Sequence, residues 1–468
     1  MDAHASTNVH TRQIAEFVSG LSYEKIPAEV RERIKLLILD SLGCAVYGAN
    51  LEWCRILHGT LEALDATRTT SIWGTAARLS SVHAALLNGT QVQGFELDDV
   101  HRKAVLHVGA VTLPALIAVA ESHARLSGRD FLTAAVAGYE IGPRVGLCMG
   151  QEHIGQGWHS GATVGVFSAA AGAARALALP ADATVHALGI AGTQSAGLMA
   201  AQYGAMVKRM HAGRAAQSGL YAALLAAQGF TGIVDVFEAP YGGFCTTFSR
   251  SQDRFNLAQL SAGLGQNFET MQISLKFYSC VGSNHTTLDA LRDIRKRRPF
   301  ALEDVEQIVV HGSQVTVDHV GWPYQPDGLT AAQLNLPFCV ATLLMRGDAF
   351  VDEFTPDCID DEARIAVSRK VTVQHDPAIT ALGAAHRHKV RVEVRLRDGS
   401  LESETREAPR GSEQSFAGAA DIVEKFRKLT RGVMAAQQQE ALIDSVMRLD
   451  ELADSRSLIE LLRVPPLS

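Results

Sequence analysis

Apolar side chains recur at helical spacing through most of the first 268 residues. Ile14, Phe17 and Val18 make a short stripe, and after Pro27, a residue suited to a first helical turn, Val30, Ile34, Leu37 and Ile38 make a longer one. Leu39-Asp40-Ser41-Leu42-Gly43 carries that pattern into small residues up to Gly48. Ser80-Ser81 reads as the cap of a helix beginning near Val82. Residues 113–124 and 131–146 predict two apolar helices, the second with Glu140 and Arg144 four apart, where they can pair on one face. The run Ser168-Ala169-Ala170-Ala171-Gly172-Ala173-Ala174 predicts a helix of very small side chains. The pattern changes near Phe268. Residues 305–312 and 390–399 alternate apolar and polar positions, the latter closing on an Asp398-Gly399 turn, while 334–345 and 360–367 read as helices between them. From 419 to 462 helical periodicity returns, with Ile422, Phe426 and Leu429. The expected fold is mainly α: a large all-helical domain over 1–268, a smaller α+β domain over 269–410, and C-terminal helices over 411–468 returning to the first. Pro409-Arg410-Gly411-Ser412 is the expected crossing, and a chain of 468 residues exceeds what one core usually serves.

Two runs without charge, 186–207 and 215–234, are long enough to prompt a membrane reading. Glycines and the polar Gln194, Gln202, Gln217 and Gln228 favour helices packed through small residues inside a bundle. A formal net charge of −7 argues against nucleic acid as the main partner. Seven cysteines without a C-x-x-C pair fit reduced, buried thiols and count against zinc or iron-sulfur sites. Residues 1–16 are polar, so no signal peptide is expected and the expected location is cytoplasmic.

The chemistry concentrates between residues 95 and 109, where Glu96, Asp98, Asp99, His101 and His107 stand with Arg102 and Lys103. Such density is costly near a core unless the charges are paired or used. It reads either as a solvated loop or as one wall of an active site, and three further segments favour the second. Gly157-Trp158-His159-Ser160-Gly161 would put His159 at a helix N-terminus if Ser160 is the cap, where free N–H groups and the helix dipole favour an anion. Lys208, Arg209, His211 and Arg214 interrupt the two uncharged runs, either as snorkelling cations or as a pocket for a polyanion. Lys276, Tyr278 and Cys280 form the third, with Lys276 placed to lower the thiol pKa of Cys280. Tyr139 is a further pocket candidate. A divalent metal on the 96–101 acids is the less favoured alternative, since no second acidic cluster appears in the helical part.

Taken in order and spacing, these pieces resemble the MmgE/PrpD family. They are Leu39-Asp40-Ser41-Leu42-Gly43, the acidic stretch with its histidines, Gly157-Trp158-His159-Ser160, residues 208–213, Lys276-x-Tyr278, and Asp398-Gly399 followed by Lys425-Phe426. The resemblance implies a discontinuous helical domain with an α+β lid, a homodimer, and chemistry on small carboxylic acids without metal or organic cofactor. It implies that Glu96, Asp98, Asp99, His107, His159, Lys208 and Lys276 belong to the active site. Family activities include 2-methylcitrate dehydration, cis-aconitate decarboxylation and iminodisuccinate epimerisation. All break or make a C–H bond beside a carboxylate or imine, which a histidine of near-neutral pKa serves well.

The expected catalytic set is therefore His107 and His159 as acid/base pair, Lys208 as clamp, and Asp98 and Asp99 to orient them. Glu96, His101, Tyr139, Arg209, His211, Lys276, Tyr278 and Cys280 are expected to contact substrate. Closure of the lid is expected to exclude water. Dehydration ranks first, because Ser279-Cys280-Val281 stands where the decarboxylases carry a further histidine and His285 lies several residues on. Epimerisation and decarboxylation are the alternatives, and a non-catalytic helical binding protein ranks last.

Overall fold

The computed structural model describes residues 9–464 other than 151, 204, 384 and 385. It divides into two compact units: residues 1–94, 98–274 and 418–468 in the first, and residues 95–97 with 275–417 in the second.

The first unit is a helical body. Val108–Ser122 is apolar all round and is accordingly buried along nearly its whole length, as an interior helix must be. Against it pack Ser81–Val92, Gly165–Ala176 and Val207–Ala227, and Gly128–Met149 lies along Gly165–Ala176. The helix expected over 131–146 starts earlier, because the Ser127 hydroxyl accepts from Asp130 N and caps it. The run 186–207 is not one helix. Ala181–Gly192 ends where Gly192, Thr193 and Ser195 offer poor helix formers, and a loop with a short 3-10 turn leads to Val207. Among the described residues no single helix is long and apolar enough to cross a membrane. From the C-terminal segment, Ala419–Thr430 lays Ile422, Phe426 and Leu429 on Ala28–Gly48.

Helices in this body approach at contact distance because small residues face one another. A Cβ on Gly89 would fall 2.6 Å from Gly213 Cα and 2.8 Å from the Ala110 carbonyl. Gly89 and Gly213 thus let three helices, Ser81–Val92, Val108–Ser122 and Val207–Ala227, meet at one point close to the starts of the last two.

The second unit holds a four-stranded mixed sheet in the order Val371–His375, Val305–Gly312, Val390–Leu396, Leu401–Arg406. The first pair is parallel and the others antiparallel. Val390, Val392, Val394 and Leu396 all point inward, the period-2 burial that alternation predicts. Gly399, with φ 86°, makes the tight turn after Asp398. Gly282–Arg297 packs on the sheet, and Leu336–Arg346 packs on that helix.

Candidate active site

The segment from 98 to 109 is a tight hairpin feeding a helix. Val100–His101 pairs with Ile273–Ser274, and His101 and Leu106 exchange backbone hydrogen bonds at 2.8 and 3.3 Å. Closing so short a loop forces Val105 to φ 51°, a conformation β-branched residues rarely adopt. The His101 ring clasps the loop. Its Nδ1 accepts from Ala104 N at 3.0 Å, which leaves Nε2 as the N–H that donates to Glu269 at 3.0 Å. Both nitrogens are thereby committed and the side chain is buried, so His101, expected at the substrate, is a structural clasp.

His107 emerges from this hairpin as the residue preceding Val108–Ser122. Its Nδ1 faces Asp98 Oδ2 at 2.9 Å, with Asp98 wholly buried and the imidazole edge partly open. With Nδ1 donating to that carboxylate oxygen, Nε2 is left as the ring's acceptor on the partly open edge, the geometry of a histidine that can take a proton. Asp99 points the other way, taking Gly109 N–H at 2.9 Å and the Tyr139 hydroxyl at 2.9 Å. Gly109 is required there, because a Cβ would land on Ser41 Oγ and the Tyr139 hydroxyl. Burial pushes Asp99 up to about 7 and holds the Tyr139 phenol well above its ordinary value. Tyr139, expected to line a pocket, is wholly buried and anchors Asp99 instead.

His159 is itself the residue preceding the helical turn Ser160–Thr163, so the cap expected of Ser160 is displaced by one position. That turn spans four residues before a break at Val164, too short for a substantial dipole, and the anion-site argument from it lapses. The His159 ring meets another imidazole instead: His211 Nδ1 lies 3.0 Å from His159 Nδ1, both side chains buried. Val207–Ala227 supplies His211 and, three residues earlier on the same helical face, the half-buried Lys208. Burial, and then the Lys208 charge, lower the His211 pKa. Arg209 turns away and lies over the Trp53 ring at 5.8 Å. The interrupting cations therefore open a helix, rather than ending one.

In the second unit Lys276 and Glu96 form a buried ion pair at 3.1 Å. Tyr278 donates to Asp289 at 2.6 Å and is buried. Cys280 is fully buried, and burial drives its thiol well above the ordinary range, the reverse of the activation expected from Lys276. His285 Nε2 donates to the Cys280 carbonyl at 3.1 Å, and its ring stands edge-on to Tyr278. Tyr278 and Cys280 are thus packing groups. Among the described residues no three His, Cys, Asp or Glu side chains converge as metal ligands do.

One buried ion pair reached the sequence reading only as fragments of motifs: Lys425 Nζ sits 2.6 Å from Asp40 Oδ1, with both side chains sealed from solvent. The signal was present, since Lys425 breaks the apolar stripe of Ile422, Phe426 and Leu429, and Asp40 breaks that of Leu37, Ile38 and Leu42.

Comparison with known proteins finds relatives over nearly the whole chain. The cis-aconitate decarboxylase-like protein oryM of Aspergillus oryzae is 35% identical over 97% of this chain and 97% of its own length. A cis-aconitate decarboxylase of Aspergillus terreus is 33% identical over 99% of this chain and 98% of its own. The human cis-aconitate decarboxylase is 27% identical over 97% and 95%. Residues 12–256 match the MmgE/PrpD N-terminal domain and residues 278–451 the MmgE/PrpD C-terminal domain. With both domains matched and similarity running nearly end to end, the chain belongs to the MmgE/PrpD family.

Proposed function

We propose that the protein is a carboxy-lyase acting on a small unsaturated tricarboxylic acid of the cis-aconitate kind. The observation that carries this reading is the similarity, over 99% of the chain, to a cis-aconitate decarboxylase. It reverses the order reached from sequence alone, where dehydration ranked first.

Decarboxylation breaks the bond from carbon to a carboxylate. The electron pair stays on carbon, CO2 leaves, and an acid delivers a proton to the carbon skeleton, giving a diacid one carbon shorter. His107, oriented by Asp98, and His159, oriented by His211, supply two imidazoles suited to that proton traffic. Lys208 offsets carboxylate charge on the substrate, an interaction typically worth a few kcal/mol per donor.

Dehydration is the second reading, favoured by one observation. After Lys276 the chain offers Ser279-Cys280-Val281, and His285 is spent on the Cys280 carbonyl. Proton NMR in D2O with cis-aconitate, citrate, 2-methylcitrate and iminodisuccinate separates the readings. Loss of the cis-aconitate vinyl signal with CO2 release supports the carboxy-lyase. Water loss from 2-methylcitrate without CO2 establishes the dehydratase in its place, and deuterium uptake without a new skeleton an epimerase. Silence with folded protein across the panel sinks all three.

A further inference from the structure

Asp98, which orients His107, lies in a buried cluster of charges whose balance depends on the far end of the chain. Helix Ala28–Gly48 contributes Arg33, Asp40 and Cys44, the hairpin Asp98 and Asp99, helix Gly128–Met149 Tyr139, and helix Ala419–Thr430 Lys425. Every one of these side chains is 5% exposed or less. The thiol and the phenol are held well above their ordinary values and are neutral at pH 7. Arg33, lowered by burial to about 10, remains a cation and donates to the Ile273 carbonyl at 2.7 Å. Three carboxylates thus face two cations. Burial raises both Asp40 and Asp99, the latter to about 7, and Lys425 and Arg33 oppose that rise at Asp40.

Asp98 meets His107 through Oδ2, while its Oδ1 is buried and finds no hydrogen-bond partner. The carboxylate lies instead in the field of the cluster, where it acts on both Asp40 and Lys425. We propose that Lys425 is a positioning residue for the reaction: anchored on Asp40 at 2.6 Å, its ammonium is the cation in the shared cluster that offsets the negative charge felt by the Asp98–His107 pair and so holds that histidine's basicity down. The proposal rests on the reading of His107 as an acid/base group.

The sign follows from charge. Removing the ammonium leaves a carboxylate in excess, which favours the protonated form of His107. Removing the Asp40 carboxylate leaves a cation in excess and disfavours it. The test is an NMR titration of the His107 ring, assigned by its disappearance in His107→Gln, with kcat/KM followed against pH. Lys425→Met is expected to raise the His107 midpoint, and the acid limb of kcat/KM with it, by about one pH unit. Lys425→Arg restores both. Asp40→Asn moves them down, and the Asp40→Asn/Lys425→Met pair returns them near the parent. An unmoved midpoint in folded Lys425→Met overturns the proposal. Should that variant fail to fold, Asp40→Asn decides, and an unmoved or raised midpoint there overturns it equally. Full activity in His107→Gln would sink the catalytic reading while leaving the midpoint shifts to stand or fall by themselves.

Discussion

His159 and His211 face each other through their Nδ1 atoms at 3.0 Å, so one ring donates on that nitrogen and the other accepts. The pair holds one bridging proton, and the Nε2 state of each ring follows from which owns it. Replacing His211 with Phe keeps a ring of similar shape and removes the partner. We expect kcat to fall about 10²-fold with KM and melting temperature close to the parent. A fall in melting temperature that accounts for the lost activity would reduce His211 to packing.

The dyad of Asp98 and His107 is expected to act as one device. Asp98→Asn would turn an amide N–H toward Nδ1 and favour the wrong tautomer, so kcat should drop by about 10²–10⁴-fold, much as in His107→Gln. The double variant should be no worse than the poorer single one. Steady-state kinetics of the three variants check this, and multiplicative losses would separate the residues.

Lys276 and Glu96 make a buried pair whose members are each about 6% exposed. Lys276→Met takes the ammonium away from the buried Glu96 carboxylate and should cost about 3–5 kcal/mol of stability. Adding Glu96→Gln should recover much of that loss in denaturant unfolding. A double variant no more stable than Lys276→Met would show that the pair is held for another reason.

Gly89→Ala tests the three-helix junction. The added methyl meets Gly213 Cα and the Ala110 carbonyl, both backbone, which cannot rotate aside. Overpacking of this kind costs about 1–3 kcal/mol. Because His107 precedes one of these helices and His211 lies near the start of another, activity should fall further than stability implies. Activity and urea unfolding measured together decide.

His153 gives the first unit an acid-sensitive element. It is buried against Phe244 and Phe248, donates to or accepts from Thr163 at 2.7 Å, and burial lowers its pKa from 6.5 to about 4. Below pH 6.5 the unfolded chain takes up a proton the folded one refuses, so stability is lost as pH falls to about 4 and then levels. Two and a half pH units correspond to about 3 kcal/mol. His153→Gln should flatten the decline in melting temperature over that window, and an unchanged slope would place the sensitivity elsewhere.

Where alternation was strong, the chain could be read directly: Val390–Leu396 buries every second residue, and Val305–Gly312 does so from Ile308 on, after a register shift between Val305 and Gln307. The two sheet edges were not legible. Leu401–Arg406 is polar with no residue fully buried, and Val371–His375 has only Val371 buried, so neither carries an inward face to betray it. At the site, residue type revealed the candidates and tertiary distance decided their tasks. His107 and Asp98 are nine residues apart and their pairing follows from one local turn. His101 owes its task to Glu269, and His211 meets a histidine 52 residues away, relationships that no local spacing announces. Small-residue runs told of close packing, yet which glycine meets which helix depended on the assembled body.

The order in which the units are written along the chain bears on how the protein is made. The first unit is interrupted after Ser274 and resumes only at Gly418, so 143 residues are synthesised between its two parts. At ribosomal rates of 5–20 residues per second that gap lasts about 7–30 s. Throughout it, the face of Ala28–Gly48 that Ile422, Phe426 and Leu429 will cover stays bare, and Asp40 waits without its ammonium. The nascent helical body thus lacks the Ala419–Thr430 helix until the whole intervening unit has been read.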